Sequence, residues 1–393
     1  MRPTATYDAV VVGARPAGAA TAMLLARAGL RVLVVDRAAY GTDTVSTHAL
    51  LRGAVLQLAR WGLLDRIAAA GTPAVERCVF RYGRRDLEVP IKPRAGVEAL
   101  YAPRRTVLDP ILVDAARDAG ADIRFGVSVT GLAGNGRVTG VVGHDEDGRP
   151  FAANARFTIG ADGIGSSVSR LVGAPVEQSA ESAAGFIYGY RGGLPADRYQ
   201  LWYQPGVAVG SFPTNHGQAC VFAASSPARM RRELRGGAGP AYANLLAEAA
   251  PELLDGVHRP RRLRLFAGRR TGYVRRSYGP GWALVGDAGY YKDPITSHGL
   301  TDALRDAELL SRAIIAAASG EAAEPMALAR YQSVRDRLSA RLFTVTDQIA
   351  SFRWNLDRIP GLLTDLSDAM VDETNWLSEL DARHSRPAIA PSG

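Results

Sequence analysis

The hydrophobic pattern at the start of the chain predicts one βαβ unit. The apolar run Tyr7–Val12 ends in a glycine-rich turn. Ala17–Ala28 is rich in Ala and Leu and stops at Gly29, and Arg31–Asp36 is a second apolar run. Strand, turn, helix and strand in this order are typical of a parallel α/β unit.

The pattern changes near residue 183, and the change predicts a second domain. Short alternating runs separated by Pro, Gly and Asn are typical of antiparallel strands. These runs are Gly185–Gly192, Tyr199–Gln204, Val207–Phe212 and Ala219–Ala223. Helical periodicity returns over Ser297–Ala317 and Pro325–Ala350. We therefore predict an α/β fold, in which a Rossmann-type domain is interrupted by a mainly antiparallel β-sheet domain and followed by C-terminal helices.

The same pattern gives domain boundaries. The Rossmann-type domain is expected to be discontinuous, with the sheet domain inserted between its parts as the expected place where a substrate binds.

The expected segments are 1–73, 95–182 and 275–325 for the Rossmann-type domain, 74–94 and 183–274 for the substrate-binding sheet domain, and 326–393 for a C-terminal helical segment.

Composition and charge narrow the class of protein. The 393 residues are 47% hydrophobic and 22% charged, which are ordinary globular values. The net charge of +8 is nearly all arginine, since Lys92 and Lys292 are the only lysines; it indicates either an acidic partner or a coding bias toward arginine. Nucleic acid is not expected as a partner, because no aromatic residues are interleaved with the arginines. Without a run of about 18 apolar residues or a basic-then-apolar leader, we expect no membrane span and a cytoplasmic location. A homodimer is a further expectation.

The turn between the first strand and the first helix carries a dinucleotide-binding motif, Gly13-Ala14-Arg15-Pro16-Ala17-Gly18. Gly13 permits a tight turn and Gly18 permits close packing of the helix on the strand. The helix N-terminus then offers free N–H groups and a positive dipole end to a pyrophosphate. Arg15 replaces the middle glycine, so its side chain must turn away from the phosphates or fold over them.

An acid stands where such a motif needs one. Asp36 closes the second strand about 18 residues after Gly18, where a carboxylate accepts hydrogen bonds from the adenosine ribose. Arg37 follows it directly and is included in the expected cofactor site.

Two later motifs make the nucleotide more specific. The run Ile159–Ser166, with Asp162 at its centre, follows a buried strand, and Gly281–Ala288 leads to Asp293-Pro294 and Gly299. In this order and spacing the three motifs resemble the fingerprints of the single-component FAD-dependent monooxygenases, the aromatic hydroxylases of the p-hydroxybenzoate hydroxylase-like superfamily. The resemblance covers about half of the chain.

This resemblance implies FAD as the cofactor and NAD(P)H as a co-substrate. Asp287 is expected to hydrogen-bond the ribitol chain, and the backbone at Gly286 to approach the pyrophosphate. Asp162 belongs to a motif that handles both FAD and NAD(P)H, and Arg105 matches an arginine near the FAD ribose and phosphates. The alternative for Arg105 is an exposed arginine at a helix start.

The resemblance also implies that a helix start points at the flavin. Gly299 and Leu300 are expected to aim N–H groups at the flavin pyrimidine edge, where a positive helix end stabilises negative charge. The candidate catalytic residues are Pro294, His298 and His48. His298 would donate a hydrogen bond near flavin or substrate, or else be an exposed helix-start histidine. His48 would contact flavin or substrate, attach the flavin covalently, or simply pack in its loop.

Aromatic side chains are the candidates for a substrate pocket. Tyr203 and Phe212 would face inward from the sheet, and Tyr290 and Tyr291 lie close to Asp287 in sequence. For each of them the alternative is a place in the hydrophobic core. The arginine-rich stretch 259–276 could receive the phosphate of NADPH, an acidic substrate or a carrier protein, or could be a solvated strand face.

The expected function is therefore an FAD-dependent monooxygenase that hydroxylates or epoxidises a small aromatic or polyketide-like metabolite with NAD(P)H, in secondary metabolism. Oxygen insertion is chemistry of the cofactor, so no signature of catalytic carboxylates or cysteines is expected. Three alternatives stay open: a flavin oxidase or dehydrogenase, a related halogenase or prenyl reductase, and a binding module that keeps FAD for structure. The halogenase signature W-x-W-x-I-P is absent, since Trp354 and Ile359-Pro360 do not have its spacing.

Overall fold

The computed structural model describes residues 6–254, 260 and 262–380, and over these residues it contains eighteen strands and ten helices. The strands are β1 (Thr6–Val12), β2 (Val32–Asp36), β3 (Arg77–Tyr82), β4 (Arg85–Pro90), β5 (Asp122–Phe125), β6 (Ser128–Ala133), β7 (Gly140–His144), β8 (Pro150–Gly160), β9 (Val176–Ser179), β10 (Gly185–Gly192), β11 (Arg198–Gln204), β12 (Val207–Thr214), β13 (Gln218–Ser225), β14 (Arg264–Phe266), β15 (Tyr273–Arg275), β16 (Tyr278–Gly279), β17 (Trp282–Leu284) and β18 (Tyr290–Tyr291). The helices are α1 (Pro16–Arg27), α2 (Arg52–Arg60), α3 (Leu64–Ala69), α4 (Arg105–Asp118), α5 (Ser167–Leu171), α6 (Pro227–Glu233), α7 (Ala238–Ala249), α8 (Gly299–Ser319), α9 (Glu324–Ala350) and α10 (Ile359–Ser378).

The larger sheet is parallel at its centre. Its hydrogen-bonded order is β16-β17-β8-β1-β2-β5, and every pair from β17 to β5 runs parallel. A sheet that is covered on both faces needs apolar residues facing both ways, and Val10, Val11, Leu33 and Val34 are all fully buried. The Rossmann-type part of the predicted fold is confirmed.

The second sheet has seven strands in the order β14-β10-β13-β12-β11-β3-β4. Its neighbours are antiparallel except β11 and β3, which run parallel because β3 enters from the other part of the chain rather than through a hairpin. The strands predicted from segments 74–94 and 183–274 thus lie in one mainly antiparallel sheet, as the predicted fold class requires. The exact domain boundaries stay a prediction. A small third sheet joins β18, β15 and β9.

Both faces of the seven-stranded sheet are covered. On one face, α7 packs Leu245 and Leu246 against Ile187 and Val209. On the other face, aromatic side chains of the sheet pack against residues of α9 and α10, among them Leu342. The predicted C-terminal helices therefore pack into the core beneath this sheet.

The start of α8 differs by two residues from the expected start at Ser297. A short 3₁₀ turn over Pro294–Thr296 precedes it, and Ser297 has a φ of 54°, in the left-handed region. A residue in that conformation cannot continue a right-handed helix. The helix therefore begins at Gly299, which fixes where its free N–H groups point.

Across the described part of the chain, no helix is both long enough and apolar enough to cross a lipid bilayer.

Leu342 provides a test of the covered sheet. It is fully buried on α9 beneath the sheet, whereas Met326 on the same helix is 71% exposed. Leu342→Ala should lower the free energy of unfolding by about 2–5 kcal/mol, because it removes buried methyl groups and leaves a cavity. Met326→Ala should change it by less than about 0.5 kcal/mol. Equal effects of the two variants in chemical denaturation would contradict this packing.

Candidate functional site

The first glycine turn brings two segments of backbone into close contact. Gly13 has a φ of 109°, and a Cβ atom on it would lie 2.4 Å from the carbonyl oxygen of Ala161. A Cβ on Gly18 would lie 1.8 Å from the Gly13 carbonyl oxygen. Only glycine fits at either position, so the turn sits directly on the end of β8. The side chain of Arg15 does not cap α1, which leaves the first N–H groups of that helix free for a ligand.

The side chain of Arg15, which replaces the middle glycine of the motif, is held by hydrogen bonds to neighbouring residues. Its guanidinium turns away from the helix end and donates to Asp109 Oδ2 and to the Thr42 carbonyl oxygen, each at 2.9 Å. Asp109 also accepts two hydrogen bonds from Arg105, from Nε at 2.6 Å and from Nη2 at 2.9 Å. Two arginines thus share one carboxylate beside the N-terminus of α1. The group carries one positive charge in excess, where a pyrophosphate would bring negative charge.

Asp36 sits at the end of β2, next to the glycine turn. Its Oδ2 accepts from the Ala14 N–H at 2.7 Å and its Oδ1 from the Ala38 N–H at 2.8 Å. Each carboxylate oxygen keeps a second lone pair for a ribose hydroxyl. Arg37, the next residue, is exposed and lines no cavity found around the motif.

Asp162 has a local role in the second motif. Its carboxylate accepts from Ser166 Oγ and from the Ser167 N–H, both at 2.5 Å, and so holds the start of α5. The neighbouring residues Gly163 and Ile164 line the cavity instead.

The third motif presents a half-buried acid. Asp287 follows Gly286, where a Cβ would lie 2.9 Å from the Cβ of Ala17. Burial, together with the nearby Asp302, raises the pKa of Asp287 to about 7. Its carboxyl group has no hydrogen-bond partner among the described residues, although its backbone carbonyl accepts from Tyr273. A ligand with hydroxyl donors would satisfy it.

The three motifs converge on one cavity of about 340 Å³. Pro16, Ala161 and Asp287, one residue from each motif, contribute to its wall. Gly299 and Leu300 at the start of α8 line it as well. A smaller neighbouring cavity is lined by Ala14, Asp36, Thr42 and Asp109, and Arg15 borders both. The two cavities thus lie side by side, and Asp36, the acid expected at the adenosine ribose, lines the smaller one.

This site fits FAD. It has open helix N–H groups, two glycines whose missing side chains allow close backbone contact, an acid placed for ribose and a half-buried acid without a side-chain partner placed for ribitol. Asp36, Arg105 and Asp287 would hold the cofactor.

His48 lies in the wall of the larger cavity. Its backbone has a φ of 70°, which is uncommon outside glycine, and its side chain is 1% exposed. Nε2 lies 2.5 Å from the Tyr190 hydroxyl, and Nδ1 is buried without a partner among the described residues. Burial and the charges of Arg105, Arg104 and Arg264 lower the pKa of His48 well below its usual value. The imidazole is therefore neutral.

His298 lies elsewhere than expected. Its imidazole does not line the cavity but points into the interior, where Nδ1 is 3.1 Å from Asp302 Oδ1 and Nε2 is 2.9 Å from Glu373 Oε2. Lys292 pairs with Asp302 on one side of it, and Arg305 pairs with Glu373 at 2.7 Å on the other. In this position His298 does not contact the cavity in which a substrate would bind.

These residues and Asp306 form a buried ionic cluster, which we define as Lys292, His298, Asp302, Arg305, Asp306 and Glu373. Each member is at most 7% exposed. Burial and Lys292 oppose protonation of His298, but Glu373 and Asp302 outweigh them and raise its pKa. With His298 protonated, three positive charges balance three carboxylates. The cluster joins α10 to the first turn of α8 and so fixes the helix start that lines the cavity.

Part of this cluster has the spacing of a metal site. Ligand atoms of His298, Asp302 and Glu373 lie within 4.8 Å of one another. However, Lys292 and Arg305 already pair with the same carboxylates. A divalent cation would add charge to a balanced buried cluster, and we therefore assign no metal to it.

The aromatic substrate candidates separate into two groups. Tyr203 and Phe212 lie in the core between the seven-stranded sheet and the C-terminal helices. Tyr290 packs against Phe343 in the interior, also away from the cavity. Tyr291 does line the cavity, as does Pro294.

Other aromatic side chains form the wall opposite the motifs. They are Phe186, Tyr188 and Phe266.

The arginine-rich stretch is mostly engaged at the surface. Arg264 pairs with Asp43 at 2.6 Å, Arg270 donates to the Ile164 carbonyl oxygen, and Arg276 pairs with Glu177. Its members at positions 259 and 261 lie outside the described residues.

Sequence reasoning missed most of the acids that organise the site. Asp109 carried a usable signal, because it stands four residues after Arg105 on a predicted helix and such pairs interact. Lys292 was noted only as one of two lysines. Glu373 gave no signal in the sequence, because it lies on α10, more than 70 residues after the start of α8.

Comparisons with known proteins agree on the cofactor and differ on the reaction. The model of the family described as FAD binding domain matches residues 6–346. The chain is 28% identical over 359 residues to a digeranylgeranylglycerophospholipid reductase of Methanocella arvoryzae, covering 86% of this chain and 84% of the relative.

Solved structures are similar in fold. A probable FAD-dependent monooxygenase from Pseudomonas aeruginosa matches with a TM-score of 0.80 and 20% identity, over 92% of this chain and all of that one. The myxobacterial chondrochloren halogenase, an FAD-dependent halogenase, matches with a TM-score of 0.78 and 24% identity, over 86% of this chain and 81% of that one.

The affinity for FAD should depend on pH through Asp287. Below about pH 7 this carboxyl is protonated in the free protein, whereas ribitol hydroxyls that donate to it favour the ionised form. Binding must then expel a proton, so the affinity should weaken by up to roughly tenfold for each pH unit below 7 and level off above it. Fluorescence titration of the apoprotein with FAD measures this. Asp287→Asn should bind more weakly at pH 8 and lose the pH dependence.

Asp293 is the matched control, because its pKa is also raised to about 7 by burial but it does not line the cavity. If Asp293→Asn and not Asp287→Asn removed the pH dependence, the assignment of Asp287 to the ribitol would be wrong.

The buried ionic cluster should give a pH-dependent stability. His298 has a raised pKa in the folded state, so its contribution is fully present below pH 6.5 and is lost as the pH rises through the folded value. Glu373→Gln removes a carboxylate that holds His298 protonated. The variant should lose about 3–5 kcal/mol of unfolding free energy at pH 6. The deficit should shrink at higher pH, once the pH has passed the folded pKa of His298 and the parent protein has lost the same proton.

Asp372→Asn is the control on the same helix, since Asp372 is exposed and forms only a surface pair with Arg341 at 3.6 Å. It should cost less than about 1 kcal/mol at either pH. A deficit for Glu373→Gln that is small and independent of pH would rule out the proposed charge balance.

Proposed function

Because the chain belongs to the FAD binding domain family, we propose that it is an FAD-dependent monooxygenase that transfers one oxygen atom from O₂ to a small aromatic or polyketide-like metabolite, with NAD(P)H as the reductant. Membership in the p-hydroxybenzoate hydroxylase-like superfamily and the role of an FAD-dependent oxidoreductase agree with the sequence prediction. The oxygen transfer, the nicotinamide and the substrate class are proposals.

The size and lining of the cavity carry the proposal. About 340 Å³ is near the lower end of small-molecule sites, and it must hold the flavin ring as well as the substrate. The wall opposite the motifs is aromatic, formed by Phe186, Tyr188 and Phe266. Flat aromatic walls favour a compact planar substrate, which can stack on them.

When bound, FAD would supply the electron transfer and the activation of oxygen. The protein's own contribution is electrostatic and steric. The N–H groups at the start of α8 stabilise negative charge at the cavity wall, and Gly299 and Leu300 are placed to provide them. The buried ionic cluster keeps that helix start in place. The aromatic wall excludes water from the reacting centre.

A nicotinamide would reach the cavity from outside. The mouth near Ile164 carries Arg270, whose guanidinium donates to the Ile164 carbonyl at 3.1 Å and is exposed. An exposed arginine there favours approach of a phosphate-bearing co-substrate.

A prenyl reductase is the second candidate. It is supported by the curated relative that covers 86% of this chain and is named as a digeranylgeranylglycerophospholipid reductase. The cavity argues against a long lipid substrate. The space beneath the sheet, where a chain could extend, is filled by the aromatic and aliphatic core that includes Tyr203, Phe212 and Leu342.

Isotope labelling distinguishes the two reactions. The FAD-loaded protein, NAD(P)H and a panel of small phenols and aromatic acids should give a product that contains one heavy oxygen atom when the O₂ is isotopically labelled, as read by mass spectrometry. An anaerobic reaction with the same panel is the control and should give no product. Product formation without oxygen, or reduction of a prenyl double bond under anaerobic conditions, would overturn the oxygenase in favour of the reductase.

A further inference from the structure

A separate cavity lies between the second half of α8, the first half of α9 and the end of α10. Its volume is about 570 Å³, larger than the cavity of about 340 Å³ where the three motifs converge, which we call the cofactor cavity. The two cavities share none of the lining residues that the structure describes. The proposed oxygen transfer makes no use of this helical cavity.

The walls of the helical cavity are apolar. Leu309 of α8 and Ala327 and Tyr331 of α9 line it and are buried in the main hydrophobic core. Trp376 of α10 also lines it and packs against the same core. The Tyr331 hydroxyl already donates to the Leu284 carbonyl oxygen at 2.8 Å, and the backbone groups of the walls are paired along their own helices. Such walls gain from contact with hydrocarbon rather than with polar groups.

The rim of the helical cavity is basic. Arg330 and Arg337 lie about two turns apart on α9, and both are exposed and line the cavity. In the part of the chain that the structure describes, neither forms an ion pair with a carboxylate. The guanidinium carbon of Arg337 lies 5.8 Å from the centroid of the Trp376 ring, so this charge stands over the apolar wall.

Charge complementarity favours a ligand with an anionic head. The third arginine of the lining, Arg312, is paired with Glu308 at 2.6 Å. Apart from that pair, the described lining carries Arg330, Arg337 and Glu321, which leaves one positive charge in excess. Two guanidinium groups beside an apolar wall suit a carboxylate or a phosphate, which they bind through charge-assisted hydrogen bonds.

The size of the helical cavity favours one small molecule over a macromolecule. Small-molecule sites usually enclose about 300–1,000 Å³, and this volume lies within that range. Stable protein interfaces take about 20–30 residues from each partner, whereas 13 of the described residues line this cavity. A bilayer binds apolar side chains that protrude into it, and these side chains form a concave wall instead.

We propose that the helical cavity binds a free single-chain amphiphile with an anionic head, a fatty acid in its ionised form. The hydrocarbon chain lies against Leu309, Ala327 and Tyr331, and the head lies between Arg330 and Arg337. This site is separate from the cofactor cavity, so the proposal goes beyond the proposed oxygen transfer and does not depend on it.

Binding of decanoate tests the proposal. It is measured by calorimetry on the FAD-loaded protein, below the concentration at which micelles form, so that the cofactor cavity is occupied. Decanol has the same chain without the charge and should bind about tenfold or more weakly. Hexanoate keeps the charge but buries less hydrocarbon, so it should also bind at least about tenfold more weakly.

Variants locate the site. Ala316→Trp places an indole in the cavity from the α8 wall and should remove binding of decanoate and decanol alike. The double variant Arg330→Gln with Arg337→Gln should leave decanol binding unchanged and reduce the preference for decanoate to about one. Arg231→Gln with Arg232→Gln is the charge-matched control, because both arginines are exposed on α6 and neither lines the cavity. It should keep the full preference.

Flavin content and thermal unfolding identify any variant that has not folded, and the double arginine variant keeps the test open if Ala316→Trp fails to fold. Saturable decanoate binding that loses its charge preference in the double arginine variant supports the proposal. The proposal is overturned if the parent protein binds no decanoate, if it binds decanol equally well, or if folded Ala316→Trp binds decanoate as the parent does.

Other occupants of the helical cavity give different results, and each result overturns the proposal. A dimer of the parent protein that Ala316→Trp dissociates in analytical centrifugation would assign the cavity to a second copy of the chain. Sedimentation with phosphatidylglycerol vesicles, lost in the double arginine variant and without decanoate binding, would assign it to a membrane surface. Decanoate binding only by a variant that ends at Leu380 would assign it to residues 381–393.

Discussion

The close approach of three backbone turns at one edge of the parallel sheet is the constraint on which the rest of this site depends. β17, β8 and β1 are adjacent and parallel, so their carboxyl ends must meet at the same edge. The carbonyl oxygen of Ala161 then occupies the space that a side chain on Gly13 would need, and Ala17 does the same at Gly286. Because these turns touch through backbone atoms, the groups they present to a ligand have little freedom to move. Ligands of open α/β sheets bind at such edges for this reason.

Charge around that edge is organised by shared carboxylates. Asp109 is divided between two arginines near the expected pyrophosphate, and Asp43 between two arginines behind the substrate wall. In each group two arginines share one carboxylate, so one positive charge stays uncompensated. The buried ionic cluster balances its charges instead, because an unpaired charge is costly at buried positions.

The proposed reaction rests on how the space beneath the inserted sheet is filled. The chain shares its cofactor domain with a lipid reductase and its fold with a monooxygenase and a halogenase. A common fold does not fix a common reaction, since the substrate meets only the residues that line its cavity. Here the C-terminal helices and the aromatic core close the space below the sheet and leave a compact cavity. That filling is the reason for proposing a small planar substrate rather than a long prenyl chain.

The sequence alone predicted the fold class from local rules, and it predicted FAD from the resemblance of its three motifs to a known family. Gly13, Gly18 and Asp287 are constrained by turn geometry and by contact with a cofactor, and the change from buried runs to alternating ones reports which sheet is covered and how. Only the tertiary structure decided the direction of Arg15, the interior position of His298 and the burial of Tyr203 and Phe212. Those outcomes depend on partners that are distant in sequence, such as Asp109, Glu373 and the residues of α9 and α10. The sequence does not show whether a charged or aromatic side chain contacts a ligand or another residue. Only long-range packing decides between these two environments.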